Sequence, residues 1–340
     1  MQAIFSVTLP FFALVLMGYL AAARGWLPAP AIPGLNGFVL FFALPCMLFR
    51  FGQGTPVAQL LDLTLIAVWV TCALVIVVFT VAITVNAQTP LRDAAFGALV
   101  AAFPNTGFMG VPLLVALLGP AAAGPAIATI LVDIFITTSV CIAIAQAHGA
   151  AGQGPRAAAL RAVRGAASNP LPWAVALGAV FSATGLGLPG PVDTVVRLLA
   201  DAASPVALFT IGAVLWRSSQ SIRTGPAAGE HGDESGVASS PPVPTGVWQT
   251  AAIKLVLHPV LVFLVGVSAL SLGAPISTFS LMVITLVAAL PSASNVSLLA
   301  ERYGADTGRV ARIILMSTVV AFATFSLIAF GFGVQPGGAR

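Results

Sequence analysis

Ten apolar runs dominate the chain, at approximately residues 3–22, 31–51, 60–85, 92–118, 122–148, 169–188, 191–216, 247–272, 277–303 and 307–332. Each reaches the roughly 20 residues that a helix needs to cross a hydrocarbon core about 30 Å thick. With 59% hydrophobic and 7% charged residues in 340, and a mean hydropathy of +1.04, the sequence reads as an integral membrane protein. A transmembrane barrel is excluded, because its spans would be about ten residues of alternating polarity. The first run has no basic residue ahead of it and no small-residue cleavage site behind it, so it reads as a retained helix and not a signal peptide.

The net charge of +4 does not point to nucleic acid, because a membrane protein uses its arginines for topology. With the N-terminus outside, the inner connections hold Arg24, Arg92, Arg156, Arg161, Arg164, Arg217, Arg223, Arg302, Arg309 and Arg312. The outer ones hold Arg50 and Arg340. That asymmetry, with an even number of spans, places both termini on the outer side of the membrane. Cys46, Cys72 and Cys141 fall inside apolar runs as small hydrophobes. His148, His231 and His258 lie far apart with no carboxylate at ligand spacing, so neither a metal nor another cofactor is expected. The motifs of zinc proteases and serine hydrolases are missing as well, which argues against an enzyme.

Two of the runs are broken near their centres, at Phe103-Pro-Asn-Thr-Gly-Phe-Met-Gly110 and Ala289-Leu-Pro-Ser-Ala-Ser-Asn295. Proline removes one intrahelical hydrogen bond and crowds the preceding turn, freeing backbone groups that lipid cannot satisfy. Such a break persists only where protein or a wet cavity surrounds it. Paired breaks in matching places of two halves are the sequence mark of a transporter's binding site. Each second half-helix would present its N-terminus, with a partial positive charge, to an anion. Pro104, Asn105 and Thr106 on one side, with Pro291, Ser292, Ser294 and Asn295 on the other, are the candidate substrate-binding residues. Neither segment contains a carboxylate, so a cation would find no counter-charge there. The competing reading makes the two asparagines helix caps, and Phe103, Phe108 and Leu290 packing residues.

The halves look duplicated. Aligning Pro45 with Pro205 brings Phe42-Ala-Leu-Pro-Cys-Met-Leu-Phe49 onto Ala202-Ala-Ser-Pro-Val-Ala-Leu-Phe209. Aligning Pro104 with Pro291 brings Ala-Ala-Phe-Pro onto Ala-Ala-Leu-Pro, and Gly119 and Gly304 close the two segments. Five spans per repeat is odd, so the repeats insert with opposite orientation and spans 4 and 9 cross near the midplane. The predicted fold is therefore all-α: ten transmembrane helices in two inverted five-helix repeats, 1–148 and 169–333, joined by a cytoplasmic connection at 149–168. A polar loop at 217–246, rich in Gly, Pro and Ser, reads as a disordered cytoplasmic linker.

Ionisable residues inside spans are costly and usually functional. Asp133, mid-span with no partner at helical spacing, is the preferred proton or cation carrier, and Asp201 is next. Arg197 and Asp201, four apart, are expected to pair on one helix face. Lys254 and His258 share a face in the same way; Lys254 reads equally as a site residue or as an anchor snorkelling to the cytoplasmic surface.

Taken together, Leu35-Asn-Gly-Phe-Val-Leu-Phe-Phe-Ala-Leu-Pro45, the Phe103 segment continuing Val-Pro-Leu113, Asn169-Pro-Leu171, Pro205-Val-Ala-Leu-Phe-Thr-Ile-Gly212, Lys254-Leu-Val-Leu-His-Pro259 and the segment from Ala289 to Gly304 resemble the auxin efflux carrier (AEC) family. That family includes bacterial malonate and malate carriers and the plant PIN proteins. The resemblance implies a scaffold of spans 1, 2, 6 and 7, a transport domain of spans 3–5 and 8–10, elevator-like alternating access and a homodimer. It also implies a small carboxylate held at Pro104, Asn105, Pro291 and their neighbours. Ser292-Ala-Ser-Asn295 departs from the plant pattern. The expected function is secondary active transport of small organic anions, with H+ or Na+ as possible coupled ion. A cation/proton antiporter of the same architecture, or a transporter-like sensor, is the alternative.

Overall fold

A computed structural model describes residues 2–56, 62–147, 170–224 and 246–334. Among these residues the chain is all-helical, with two isolated bridges in place of any sheet. The helical stretches are α1 Gln2–Ala23, α2 Ala29–Gly54, α3 Leu63–Thr84, α4 Leu91–Ala102, α5 Thr106–Leu118, α6 Pro120–Gln146, α7 Pro170–Thr184, α8 Gly190–Thr224, α9 Val247–Ser271, α10 Thr278–Ala288, α11 Val296–Arg302 and α12 Thr307–Gly331. Seven of them, α1, α2, α3, α6, α8, α9 and α12, are long and apolar enough to cross a membrane. The protein is thus a multi-pass membrane protein, and exposed Leu16, Val78, Phe79, Leu198, Leu264 and Val319 give those helices their apolar outer faces.

Short side chains set several helix starts. Asp62 accepts from the Leu65 N–H, Ser277 from Ser280 and Asp306 from Arg309, each at 2.9 Å. Gly119 and Gly304, which close α5 and follow α11, both hold positive φ, at 87° and 65°. Four helices contain a single π turn, at Val39–Ala43, Thr106–Gly110, Asp133–Thr137 and Ile253–Leu257. Such turns are rare and gather at functional sites.

Packing separates two kinds of interface. α1 lies along α8, and α2 along α7, each pair held at backbone distance by glycine. In the first pair, Gly18 faces the Phe209 carbonyl and Gly212 the Val15 carbonyl. In the second, Gly52 faces the Val175 carbonyl and Gly178 the Phe49 carbonyl. A Cβ at any of the four would collide with backbone, and small residues at a crossing are how membrane helices gain close packing. Gly52 and Gly212 each stand seven residues after the aligned prolines Pro45 and Pro205. We expect Gly212→Val to force α1 and α8 apart and cost about 2–3 kcal/mol, as overpacking of a close contact does. Thermal unfolding in detergent checks this: an unchanged midpoint would mean that the seam is slack.

The remaining helices enclose the interior. Every residue of α4 from Ala94 to Ala102 is buried, and so is every residue from Val283 to Ser294. Arg309, 3% exposed, donates from Nη1 to the Asp93 carbonyl at 3.1 Å and ties the start of α12 to the start of α4.

Two expectations fail. The stretch beginning at 217 is helical through Thr224, because nothing between Arg217 and Thr224 breaks a helix before the Gly225-Pro226 pair. Residues 225–245 of the expected linker, the whole 149–168 connection and His148 lie outside the described residues. Arg197 and Asp201 are both exposed on α8 with no ion pair between them. The helix turns its inner face, through Ala200, Ala203 and Ala207, away from these two, and an exposed i,i+4 pair gains only a few tenths of a kcal/mol.

Candidate functional site

The helix α4 stops at Ala102, residues 103–105 are non-helical, and α5 begins. In the same way α10 stops at Ala288, and residues 289–295 are non-helical before α11. The two interruptions lie against each other. The Asn105 N–H donates to the Pro291 carbonyl at 2.8 Å, and the Ala293 N–H to the Phe103 carbonyl at 3.0 Å, which sets Pro104 opposite Ser292 in a two-bond antiparallel bridge. Groups freed by each break are thereby satisfied by the other. Gly110 has no Cβ because the Leu290 side chain occupies that space, so the apolar neighbours of the crossing serve packing.

The ends of the half-helices differ. The Asn105 carbonyl accepts from both Met109 and Gly110, at 3.2 and 3.0 Å, as the π turn opens α5. At α11 the Val296, Ser297 and Leu298 N–H groups bond back to Ala293, Ser294 and Asn295 at 3.2–3.3 Å, so that terminus is less bare than expected. Neither Asn105 nor Asn295 caps its helix through its side chain. Asn105, Thr106, Ser292 and Ser294 are buried, and the buried Oδ1 of Asn295 has no partner. A cavity of about 660 Å³ reaches this second segment, lined by Ser294, Asn295 and Ser297 on one side and by Asn36, Val214 and Leu40 on the other. Its lining does not include Pro104, Asn105, Thr106, Pro291 or Ser292.

Behind the crossing lies a second polar group, from α3, α6 and α9. Asp133 is fully buried; its Oδ1 accepts from the Trp69 indole N–H and from the Thr137 hydroxyl, both at 3.0 Å, while Oδ2 has no partner. Lys254, also fully buried, donates from Nζ to the Ala288 carbonyl at 2.8 Å and lies 3.3 Å from His258 Nδ1. This rules out the snorkelling reading, since the ammonium points inward to the end of α10. The His258 ring lies against Trp69, centroids 5.2 Å apart, and its Nε2 has no partner. Lys254 and Asp133 interact electrostatically without a contact ion pair. The structure brings Asp133, Lys254 and His258 together; Asp201, exposed on α8, is not among them.

A family model described as membrane transport protein matches residues 3–329. The chain belongs to that family. A protein of Rhizobium meliloti (strain 1021) named "Putative malonate transporter" is 29% identical over 326 residues, which is 95% of this chain and 94% of the relative. "Uncharacterized transporter YfdV" of Escherichia coli (strain K12) is 25% identical over 304 residues, 88% of each chain. Membership makes the chain a membrane transporter and not an enzyme, in line with the resemblance drawn from its motifs.

Two site neighbours carry little sequence signal. Trp69 sits in a uniformly apolar helix, where nothing in the spacing marks its indole N–H as a partner for Asp133. Ser317, in α12, takes the Ser292 N–H at 3.2 Å and lies 3.1 Å from the Ser292 hydroxyl; a lone serine in an apolar run gives no warning of that contact.

Proposed function

We propose that the protein is a secondary active transporter of small organic anions, carboxylates such as malonate, malate or auxin-like acids, bound where the two broken segments cross. The observation that carries this reading is the backbone bridge between residues 103–105 and 291–293, which gathers neutral donors and no carboxylate at one buried point. Amide and hydroxyl groups at such a point replace the water around a carboxylate without a counter-charge. The relative named for malonate points to the same substrate class.

On this reading the chain forms ten spans in two inverted repeats, with α4–α5 and α10–α11 as the crossing pair. The matched glycine seams of α1 with α8 and α2 with α7, and the matched glycines after α5 and α11, support the repeat. The seams favour α1, α2, α7 and α8 as a fixed scaffold, in a homodimer, past which the rest moves as an elevator. The cavity between Asn36 and Asn295 then leads from the cytoplasm to the site, with both termini outside a bacterial inner membrane. Asp133, Lys254 and His258 form the coupling group for H+ or Na+.

An inside-negative potential opposes anion entry by about 2.3 kcal/mol per charge per 100 mV, so uptake of a dicarboxylate needs coupled cations whereas export needs none. Labelled malonate and malate flux in proteoliposomes, with pH, sodium and voltage gradients imposed separately, tests the reading. Saturable carboxylate flux supports it. Binding without flux would indicate a sensor, and proton–cation exchange without carboxylate flux an antiporter.

A further inference from the structure

The geometry points to Lys254 as a resident cation: its tethered ammonium fills the position at the carbonyl end of α10, beside Asp133, that a soluble ion such as Na+ would otherwise take. This rests on the transporter reading only for its meaning in coupling, where it selects H+ over Na+.

A helix that stops inside protein leaves its last carbonyls without intrahelical partners and carries a partial negative charge at that end. At α10 the stop is forced, because Pro291 supplies no N–H and the chain turns away into the crossing. The place is closed to bulk solvent: Ala288, Ala289 and Leu290 are all fully buried. Lys254 Nζ donates to the Ala288 carbonyl at 2.8 Å, and His258 Nδ1 stands 3.3 Å away on the same helix, one turn later. Asp133 on α6 adds its carboxylate at longer range, with Oδ1 held by Trp69 and Thr137 and Oδ2 unpartnered. Backbone carbonyl and carboxylate oxygens are the ligands a hard cation takes, and His258 Nδ1 adds an acceptor suited to an ammonium. The ammonium already stands there, on a stem whose length is fixed by the protein. A π turn at Ile253–Leu257 carries it, so the residue projects from a helix whose register is locally shifted.

Two consequences are distinctive. The intact protein has no room at this point for a free cation, and removing the side chain creates room for one. A merely structural lysine, packing its stem, would have neither property.

Thermal unfolding of the purified full-length protein in detergent, at constant ionic strength, reads this directly and needs no substrate. For the wild type, replacing choline by Na+ is expected to leave the midpoint unchanged within about 1 °C. Lys254→Ala is expected to lower it by about 2 °C or more and to regain most of that loss, saturably, with ethylammonium and not with the bulkier tetramethylammonium. Lys254→Met, which keeps the stem and fills the space, is expected to lose stability without rescue. Saturable stabilisation of the wild type by Na+ would overturn the assignment, as would a Lys254→Met protein as stable as the wild type. If Lys254→Ala does not fold, Lys254→Met and the wild-type Na+ titration still decide. Failure of carboxylate flux in proteoliposomes would remove the transport reading and leave these titrations standing.

Discussion

Substituting alanine for Asn105 or for Asn295 is expected to weaken carboxylate binding by about 1–3 kcal/mol each, roughly 5- to 150-fold, the loss that follows when a buried hydrogen-bonding group is taken from a charged partner. Asn105 directly follows Pro104 and Asn295 stands four residues after Pro291, and neither uses its side chain to cap a helix. Stability should therefore fall by less than the 0.5–2 kcal/mol typical of a lost cap. Asn295, in the lining of the cavity, meets an incoming anion first and has Nδ2 as its donor; Asn105 lies deeper, at 4% exposure. A titration of malonate against thermal unfolding separates the two effects. Unchanged affinity in both variants would move the site away from the crossing.

Asp133→Asn should abolish most gradient-driven flux, by tenfold or more, equivalent to about 1.4 kcal/mol on the rate-limiting step, while substrate counterflow stays within about threefold of the wild type. The amide keeps an oxygen for Trp69 and Thr137, so the surroundings persist. What it loses is the capacity to exchange a proton or a charge at the unpartnered Oδ2. Counterflow moves no net ion and does not need that capacity. Equal loss in both assays, with normal unfolding behaviour, would make Asp133 a structural group.

The all-helical membrane class and the limits of several spans were legible because lipid enforces one rule, that every span be apolar and internally bonded. The ends of α1, α3, α9 and α12 fall within about three residues of the expected limits for that reason. The two breaks were equally visible, since Pro104 and Pro291 interrupt long apolar runs that have no other reason to contain Asn and Ser. Contacts between distant helices were not. No spacing rule links Trp69 to Asp133 or Lys254 to the Ala288 carbonyl, because these depend on how helices rotate about their axes, and an all-round apolar helix such as α3 gives no clue to its rotation. The same gap explains the failed Arg197–Asp201 pair: the spacing of four was right for contact, and the outward rotation of α8 made it worthless.

The bridge at the crossing also sets a schedule for biosynthesis. Pro104 and Pro291 are 187 residues apart (291 − 104), so when the first break leaves the ribosome its hydrogen-bonding partner has not been made. At about 5–20 residues per second the wait is roughly 10–40 s. Throughout that interval the Asn105 N–H and the Phe103 carbonyl lack the bonds they have in the finished protein, within a segment bordered by apolar helix on both sides. Bare backbone of this kind is not tolerated in lipid. The half-made crossing must then be held in the insertion machinery, or near the aqueous interface, until α10 and α11 arrive to complete it.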